Sequence, residues 1–264
     1  MRITEVALNL DYAQVEMEII EFIRKVVSEA KANGAVIGLS GGVDSSVVGA
    51  LCVRALGKDK VVGILMPASH TPKEDIKDAR TLARDWRIKT HEVAIDAIFS
   101  TFLESISPKS RNRLADANVK ARTRMVINYY FANSLGMTVA GTGDRSEDLI
   151  GYFTKYGDGG VDFLPIAHLY KTQVRQLGAH LGLPVHIVRK PASPQLWPGH
   201  KATDEIPLGY EKLDLVLYGL FDQKLTPMEV SERCGIDLET IELVLRKHKE
   251  SVHKRSCPPM LGHW

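Results

Sequence analysis

Four short apolar runs, AVIGLS (35–40), VVGILMP (61–67), KTHEVAI (89–95) and MTVAGT (137–142), are separated by stretches whose apolar residues recur at helical spacing. This alternation constrains the fold more than any other feature. Strands with helices between them pair in parallel, and the helices then cover both faces of the sheet. Ahead of the first run, Val15, Ile19, Phe22, Ile23, Val26 and Val27 repeat at helical spacing, and Asn33-Gly34 reads as the C-cap of that helix. DSSVVGALCVRALG follows as a helix with Val47, Val48, Leu51 and Leu56 inward and Gly57 as its stop. TPKEDIKDARTLARDWR opens on Thr71-Pro72, as helix N-termini do. A long helix is expected from about Pro108 to Leu135. YKTQVRQLGAHLG predicts another, with Val174, Leu177 and Leu181 inward and Gly182 and Pro184 ending it. The class is therefore α/β, a parallel sheet with helices on both faces and a helical C-terminal addition.

The 264 residues, 44% hydrophobic and 25% charged, suffice for one large domain spanning 1–264. An α/β core over about 25–190 and a helical appendage over about 205–264 are the expected parts. Lys and Arg number 34 against 32 Asp and Glu, a balance that excludes the basic excess of a dedicated nucleic-acid binder. LTPMEVSERCGIDLETIELVLRKHK has the two short helices and central Gly235 of a helix-turn-helix. Its Glu229, Glu232, Asp237, Glu239 and Glu242 would repel a phosphate backbone, so no nucleic acid is expected as partner. Cys52, Cys234 and Cys257 form no CxxC and cannot all pair, which suits a reducing, cytoplasmic setting. Carboxylates throughout the first thirty residues predict neither a signal peptide nor a membrane span.

The chemistry concentrates in SGGVDSS (40–46), between the first strand and its helix. A glycine-rich turn entering a helix directs several N–H groups and the positive end of the helix dipole at one spot, which suits an anion. The spacing is neither GxGxxG nor a lysine-bearing Walker A loop. Ser40, Ser45 and Ser46 add hydroxyl donors, whereas Asp44 repels phosphate unless a divalent cation sits between them. Phosphate together with Mg2+ is the ligand chemistry that results.

SGGxDS resembles the signature of the ATP pyrophosphatases of the adenine nucleotide alpha-hydrolase type. NVKARTRM (118–125), GTGDRSE (141–147), GYFTKYGDGGVDFLPI (151–166), LYKTQVR (169–175), KPASPQLWPGH (190–200), TDE (203–205) and HKR (253–255) resemble NAD synthetase, in order and over almost the whole chain. The resemblance implies a Rossmann-like sheet and an ammonia-dependent enzyme that activates deamido-NAD with ATP and Mg2+, forming NAD, AMP and pyrophosphate through an acyl adenylate. It also implies a homodimer with deamido-NAD bound near the interface.

The resemblance carries roles to individual residues. ATP would be held by Gly38, Leu39, Ser40, Gly41, Gly42, Val43, Asp44, Ser45, Thr142, Lys171 and Ser193, and magnesium by Asp44 and Glu147. Asp44, Glu147 and Lys171 are the implied catalytic residues. Deamido-NAD would meet Arg122, Lys155, Asp162, His253 and Lys254. Asn118, Arg122 and Met125 share one helical face, from which Arg124 points away. A cation at a helix start is unfavourable, and a phosphate partner would explain Lys171. Asp144 and Arg145 stand where many relatives have asparagine and lysine, and receive no role. LWPGHKATDE departs from the commoner LWxGQTDE by His200 and two added residues, an archaeal-type variant. Relatives that use glutamine carry an added hydrolase domain with a catalytic cysteine. None of the three cysteines here stands in such a context, so free ammonia is the expected nitrogen donor and no glutaminase domain is expected.

Overall fold

The structure, a computed structural model, describes residues 2–193, 197, 199, 205, 206 and 208–261. Strands β1 (Ala35–Gly38), β2 (Val61–Leu65), β3 (Lys89–Glu92) and β4 (Thr138–Ala140) form one parallel sheet in the order β3-β2-β1-β4. Ala35 sits in register with Val61 on one side and Thr138 on the other. A single parallel bridge from Ala140 to Phe163 extends the β4 edge.

Strand order decides which face each helix covers. Helices α2 (Val43–Leu56) and α3 (Lys73–Trp86) lead outward from β1 to β2 and β3, so right-handed crossovers place both on one face. The return past β1 to β4 runs in the opposite direction and carries its helices, α4 (Asp96–Ile106) and α5 (Arg113–Leu135), over the other face. The cores agree. Val47, Leu51 and Leu82 pack with Ile19 and Ile23 of α1 (Tyr12–Glu29) and with Val174 and Leu177 of α7 (Lys171–His180). Across the sheet, Val36, Val62, Ile64 and Val139 meet Ile127 and Ala132 of α5. The central strands β1 and β2 are accordingly apolar at every position, as strands covered on both faces must be.

Two helix boundaries depart from the sequence reading. Helix α1 stops at Glu29, with Lys31 in the left-handed region (φ 51°). Asn33 and Gly34 are not its cap: the Asn33 amide donates to the Leu135 carbonyl at 2.9 Å, and a Cβ on Gly34 would lie 2.0 Å from the Lys60 carbonyl oxygen. The expected helix from Pro108 starts later, at Arg113, and a helix that the sequence reading did not foresee, α4, precedes it. Ser107 ends α4 in the left-handed conformation (φ 41°), and Asn112 begins α5 by accepting the Ala115 N–H at 2.9 Å. Proline and a capping asparagine separate the two, because the apolar run IFSTFLESI already forms a helix of its own.

A second core gathers α6 (Arg145–Ile150), α9 (Tyr210–Leu217), α10 (Pro227–Cys234) and α11 (Leu238–Glu250) around Leu213, Leu217, Val230, Ile241 and Val244. Gly235 turns α10 into α11 at φ 66°. The apolar faces of this helix pair are thus buried against α9. Short helices α8 (Val185–Val188) and α12 (Val252–Arg255) complete the described elements. No helix of the described residues is long and apolar enough to cross a membrane.

Candidate active site

With β2 on one side of β1 and β4 on the other, the chain leaves the carboxyl ends of β1 and β4 in opposite directions, and a crevice opens between them. A cavity of about 670 Å³ lies there. Gly38, Leu39, Ser40, Gly42, Val43, Asp44 and Ser45 line it from the loop after β1, and Thr142 from the loop after β4. Ser193 reaches the wall from the segment after α8. Of the expected ATP-binding residues of the signature, Gly41 alone is not on the wall. It holds φ +78° and its Cα packs so closely on α3 that a Cβ would lie 2.2 Å from the Asp75 carbonyl oxygen.

The loop is internally wired. The Ser40 hydroxyl accepts the Gly42 N–H at 3.2 Å and lies 3.0 Å from Ser45 Oγ. The Ser45 and Ser46 hydroxyls reach the Gly42 carbonyl at 3.2 and 2.7 Å. Lys190, which the sequence reading passed over, fastens the loop from outside. Its ammonium donates to the Gly41 carbonyl at 2.9 Å, to Asp75 at 2.6 Å and to Asp78 at 2.7 Å. Both aspartates are buried on α3, and His186 Nε2 lies 3.0 Å from the other Asp78 oxygen. No periodicity marks Lys190, because its three partners lie more than a hundred residues away.

Lys171, at the first turn of α7, is fully buried and lies 2.8 Å from Asp44, 2.9 Å from Asp144 and 2.9 Å from Glu147. Three carboxylates, rather than a phosphate alone, therefore account for a cation at this helix start. Burial opposes its charge, but the three acids outweigh that and hold the Lys171 pKa well above the ordinary lysine value. Desolvation pushes Glu147 well above the usual carboxylate range against the pull of Lys171, with Asp144 and Asp44 adding to the rise. Asp144, to which no role was given, is wholly buried, and it caps α6 by accepting the Glu147 N–H at 2.9 Å. Its neighbour Arg145 turns outward and pairs with Asp222 at 2.7 Å.

Behind the cluster, Asp214 accepts the Ser146 hydroxyl at 2.6 Å and the Thr172 N–H at 2.8 Å, tying α6, α7 and α9 together. The Tyr210 ring covers Lys171, with 5.3 Å from Nζ to the ring centre. Asp44 and Glu147 are partly open to the cavity, at 23% and 20% side-chain exposure, whereas Asp144 has none. The Asp44 oxygen that meets Lys171 is Oδ1. Two accessible carboxylates beside a phosphate-shaped loop fit Mg2+, which takes one or two protein carboxylates and completes its shell with phosphate and water.

The far wall comes from α5 and the C-terminal helices. Asn118, Arg122 and Met125 line it as their spacing predicts, and Arg124 lines it too, donating to the Met66 carbonyl at 3.2 Å. Burial brings the Arg124 pKa down to about 10. Arg122 donates to the Lys155 carbonyl at 3.2 Å. The Lys155 ammonium in turn bonds the His253 carbonyl. Lys254 donates to the carbonyls of Gly151 and Phe153 at 2.7 and 2.8 Å, and burial lowers its pKa. Lys155, His253 and Lys254 all line the cavity. Asp162 does not. It is exposed, and its carboxylate accepts the Tyr129 hydroxyl at 2.9 Å and the Val139 N–H at 2.7 Å, which holds it at the β4 edge. Of LWPGHKATDE, only Trp197, Gly199 and Glu205 are described; His200 and the added residues lie outside the described residues.

Comparison with known proteins places the whole chain in one family. The family described as NAD synthase matches residues 15–258. The NH(3)-dependent NAD(+) synthetase of Staphylothermus marinus is 48% identical over 254 residues, 96% of this chain and 92% of that protein. The protein of the same name from Hyperthermus butylicus is 49% identical over 98% of this chain and 94% of its own length. Among solved structures, NMN synthetase from Francisella tularensis aligns with a TM-score of 0.85 at 29% identity, covering 97% of this chain and 100% of that one. NH3-dependent NAD synthetase from Campylobacter jejuni aligns with a TM-score of 0.82 at 28% identity, covering 96% and 100%.

Proposed function

The chain belongs to the NAD synthase family, and from that premise we propose how its cavity performs the ATP-dependent amidation of deamido-NAD to NAD. The polyphosphate of ATP lies over the Ser40–Ser45 turn, with Thr142 and Ser193 beside it. An oxygen of the nicotinate carboxylate attacks the α-phosphorus, the α–β phosphoanhydride bond breaks, and pyrophosphate leaves with the bonding electrons. Lys171, fully buried behind Asp44 and Glu147 rather than on the cavity wall, stays charged among its three acids and acts from behind them on the charge that grows. A magnesium ion held by Asp44 and Glu147 would supply further neutralisation of phosphate charge. Ammonia then attacks the acyl carbon of the adenylate, loses a proton to solvent and expels AMP. Arg122, Lys155, His253 and Lys254 hold deamido-NAD on the opposite wall. Exposed apolar side chains on α4 and α5, among them Phe102, Leu114, Val126 and Tyr130, offer the surface of a homodimer.

The observation that carries this reading is the buried Lys171 cluster set beside a phosphate-shaped loop at the sheet's switch point. Protein incubated with deamido-NAD, ATP, magnesium and ammonium should yield NAD, AMP and pyrophosphate in equal amounts. ADP and phosphate in their place would exclude the adenylate. Nicotinic acid mononucleotide, tried in parallel, addresses the likeness to the Francisella enzyme; deamido-NAD is the expected substrate, in keeping with the higher identity to NAD synthetases.

A further inference from the structure

Tyr210 opens α9 and is 5% exposed, yet it lines the cavity. Its hydroxyl is buried and has no hydrogen-bond partner among the described residues. Other hydroxyls of the same kind are served: Tyr12 donates to Gln176, Tyr129 to Asp162 and Tyr170 to Asp222. A buried polar group without a partner destabilises a fold, and phenylalanine would fill the same space without that penalty. The acids nearest to Tyr210 are already committed, since Asp44, Asp144 and Glu147 all converge on Lys171. Lys171 meets the ring face rather than the hydroxyl. An unmet donor on a cavity wall, next to the only fully buried lysine of the described residues, calls for an oxygen that arrives with a ligand.

We propose that Tyr210 is a catalytic residue of the adenylation step, donating a hydrogen bond from its hydroxyl to a polyphosphate oxygen of ATP at the end of the cavity lined by Asp44 and Glu147. No proton is transferred. Burial, and the nearby Glu147 carboxylate after it, raises the phenol pKa far above its ordinary value, so the group keeps its hydrogen and acts as a donor. The bond strengthens as charge accumulates on the departing pyrophosphate, which makes it an interaction of the transition state more than of the ground state. The proposal rests on the adenylating function above.

Tyr210→Phe tests it, because the substitution removes one oxygen and keeps the ring over Lys171. Single-turnover pyrophosphate release should slow by about 10- to 100-fold, and the KM for ATP should move by less than about 3-fold. The melting temperature should hold or rise, since an unpaired buried hydroxyl is lost. Wild-type release rates in Tyr210→Phe overturn the proposal. So does a lowered melting temperature or failure to fold, which would mean that the hydroxyl has its partner within the protein. Wild-type protein that forms neither AMP nor pyrophosphate sinks the functional reading and the tyrosine with it, whereas normal wild-type turnover beside an undiminished variant sinks only the tyrosine.

Discussion

A lysine with no solvent exposure is tolerable in this protein only because three carboxylates surround its ammonium, and that arrangement sets what substitutions there should do. Lys171→Met leaves the acids facing one another in a buried site, and unfolding in urea should show a loss on the order of 3–5 kcal/mol. Asp144→Asn added to that variant removes one of the stranded charges and should recover part of the loss; a double variant less stable than Lys171→Met alone would contradict the cluster as described. Asp214 allows a test by pH. Burial raises its pKa from 3.8 to about 6, against hydrogen bonds from Ser146 and Thr172. The folded state therefore binds a proton more tightly than the unfolded chain, so the contribution is full below about pH 4 and fades as pH rises through about 6. The stability advantage of the wild type over Asp214→Asn should shrink across that window, by roughly 3 kcal/mol if the whole shift is expressed. An advantage that grows with pH would reverse the assignment. Asp144 was invisible to sequence reasoning for a plain reason. A first-turn aspartate looks like a helix cap, which it is, and only the approach of α7 shows that it also meets a lysine.

Among the elements, α3 and the turn ahead of α2 matter most to the site because Lys190 bolts one to the other. Its bonds to Asp75 and Asp78 anchor it on α3, and its bond to the Gly41 carbonyl sets the peptide on which the phosphate-shaped turn pivots. Lys190→Met should raise the KM for ATP by about tenfold, the loss of one charge-assisted bond, and leave that for deamido-NAD within about twofold. Equal losses for both substrates would make Lys190 a general support of the fold instead. The four strands, the signature loop and the helices that follow it were legible in the sequence, since each depends on local periodicity, glycine and capping residues. Helix α4, the late start of α5 and the early stop of α1 were not. Asn33-Gly34 has the composition of a cap, but Gly34 serves the close approach of Lys60, a contact between distant segments that no local pattern records. Asp162 failed for a similar reason: the loop that carries it runs along β4, and the Val139 N–H and the Tyr129 hydroxyl hold its carboxylate off the cavity that Val161 lines.

For the whole molecule, the nitrogen donor offers the clearest test. Ammonia attacks only as the neutral base, so at fixed, subsaturating total ammonium the rate of NAD formation should climb as pH rises through the mildly alkaline range. A flat profile would place the slow step elsewhere, and sustained turnover on ammonia-free glutamine by this protein alone would overturn ammonia as its donor. Cys52 is buried in α2, with burial holding its thiol up at about 12, which makes it inert as a nucleophile.

The cavity walls also enter the chain in a definite order. The turn after β1, Arg122, Thr142, Glu147, Lys155 and Ser193 all precede residue 194, whereas Tyr210, His253 and Lys254 follow residue 205. During synthesis on the ribosome the phosphate-shaped turn and much of both walls are therefore translated well before Tyr210, His253 and Lys254. Lys254 clamps the Gly151 and Phe153 carbonyls only once α12 has left the exit tunnel. A nascent chain thus holds its phosphate-shaped turn before the cavity around that turn is closed.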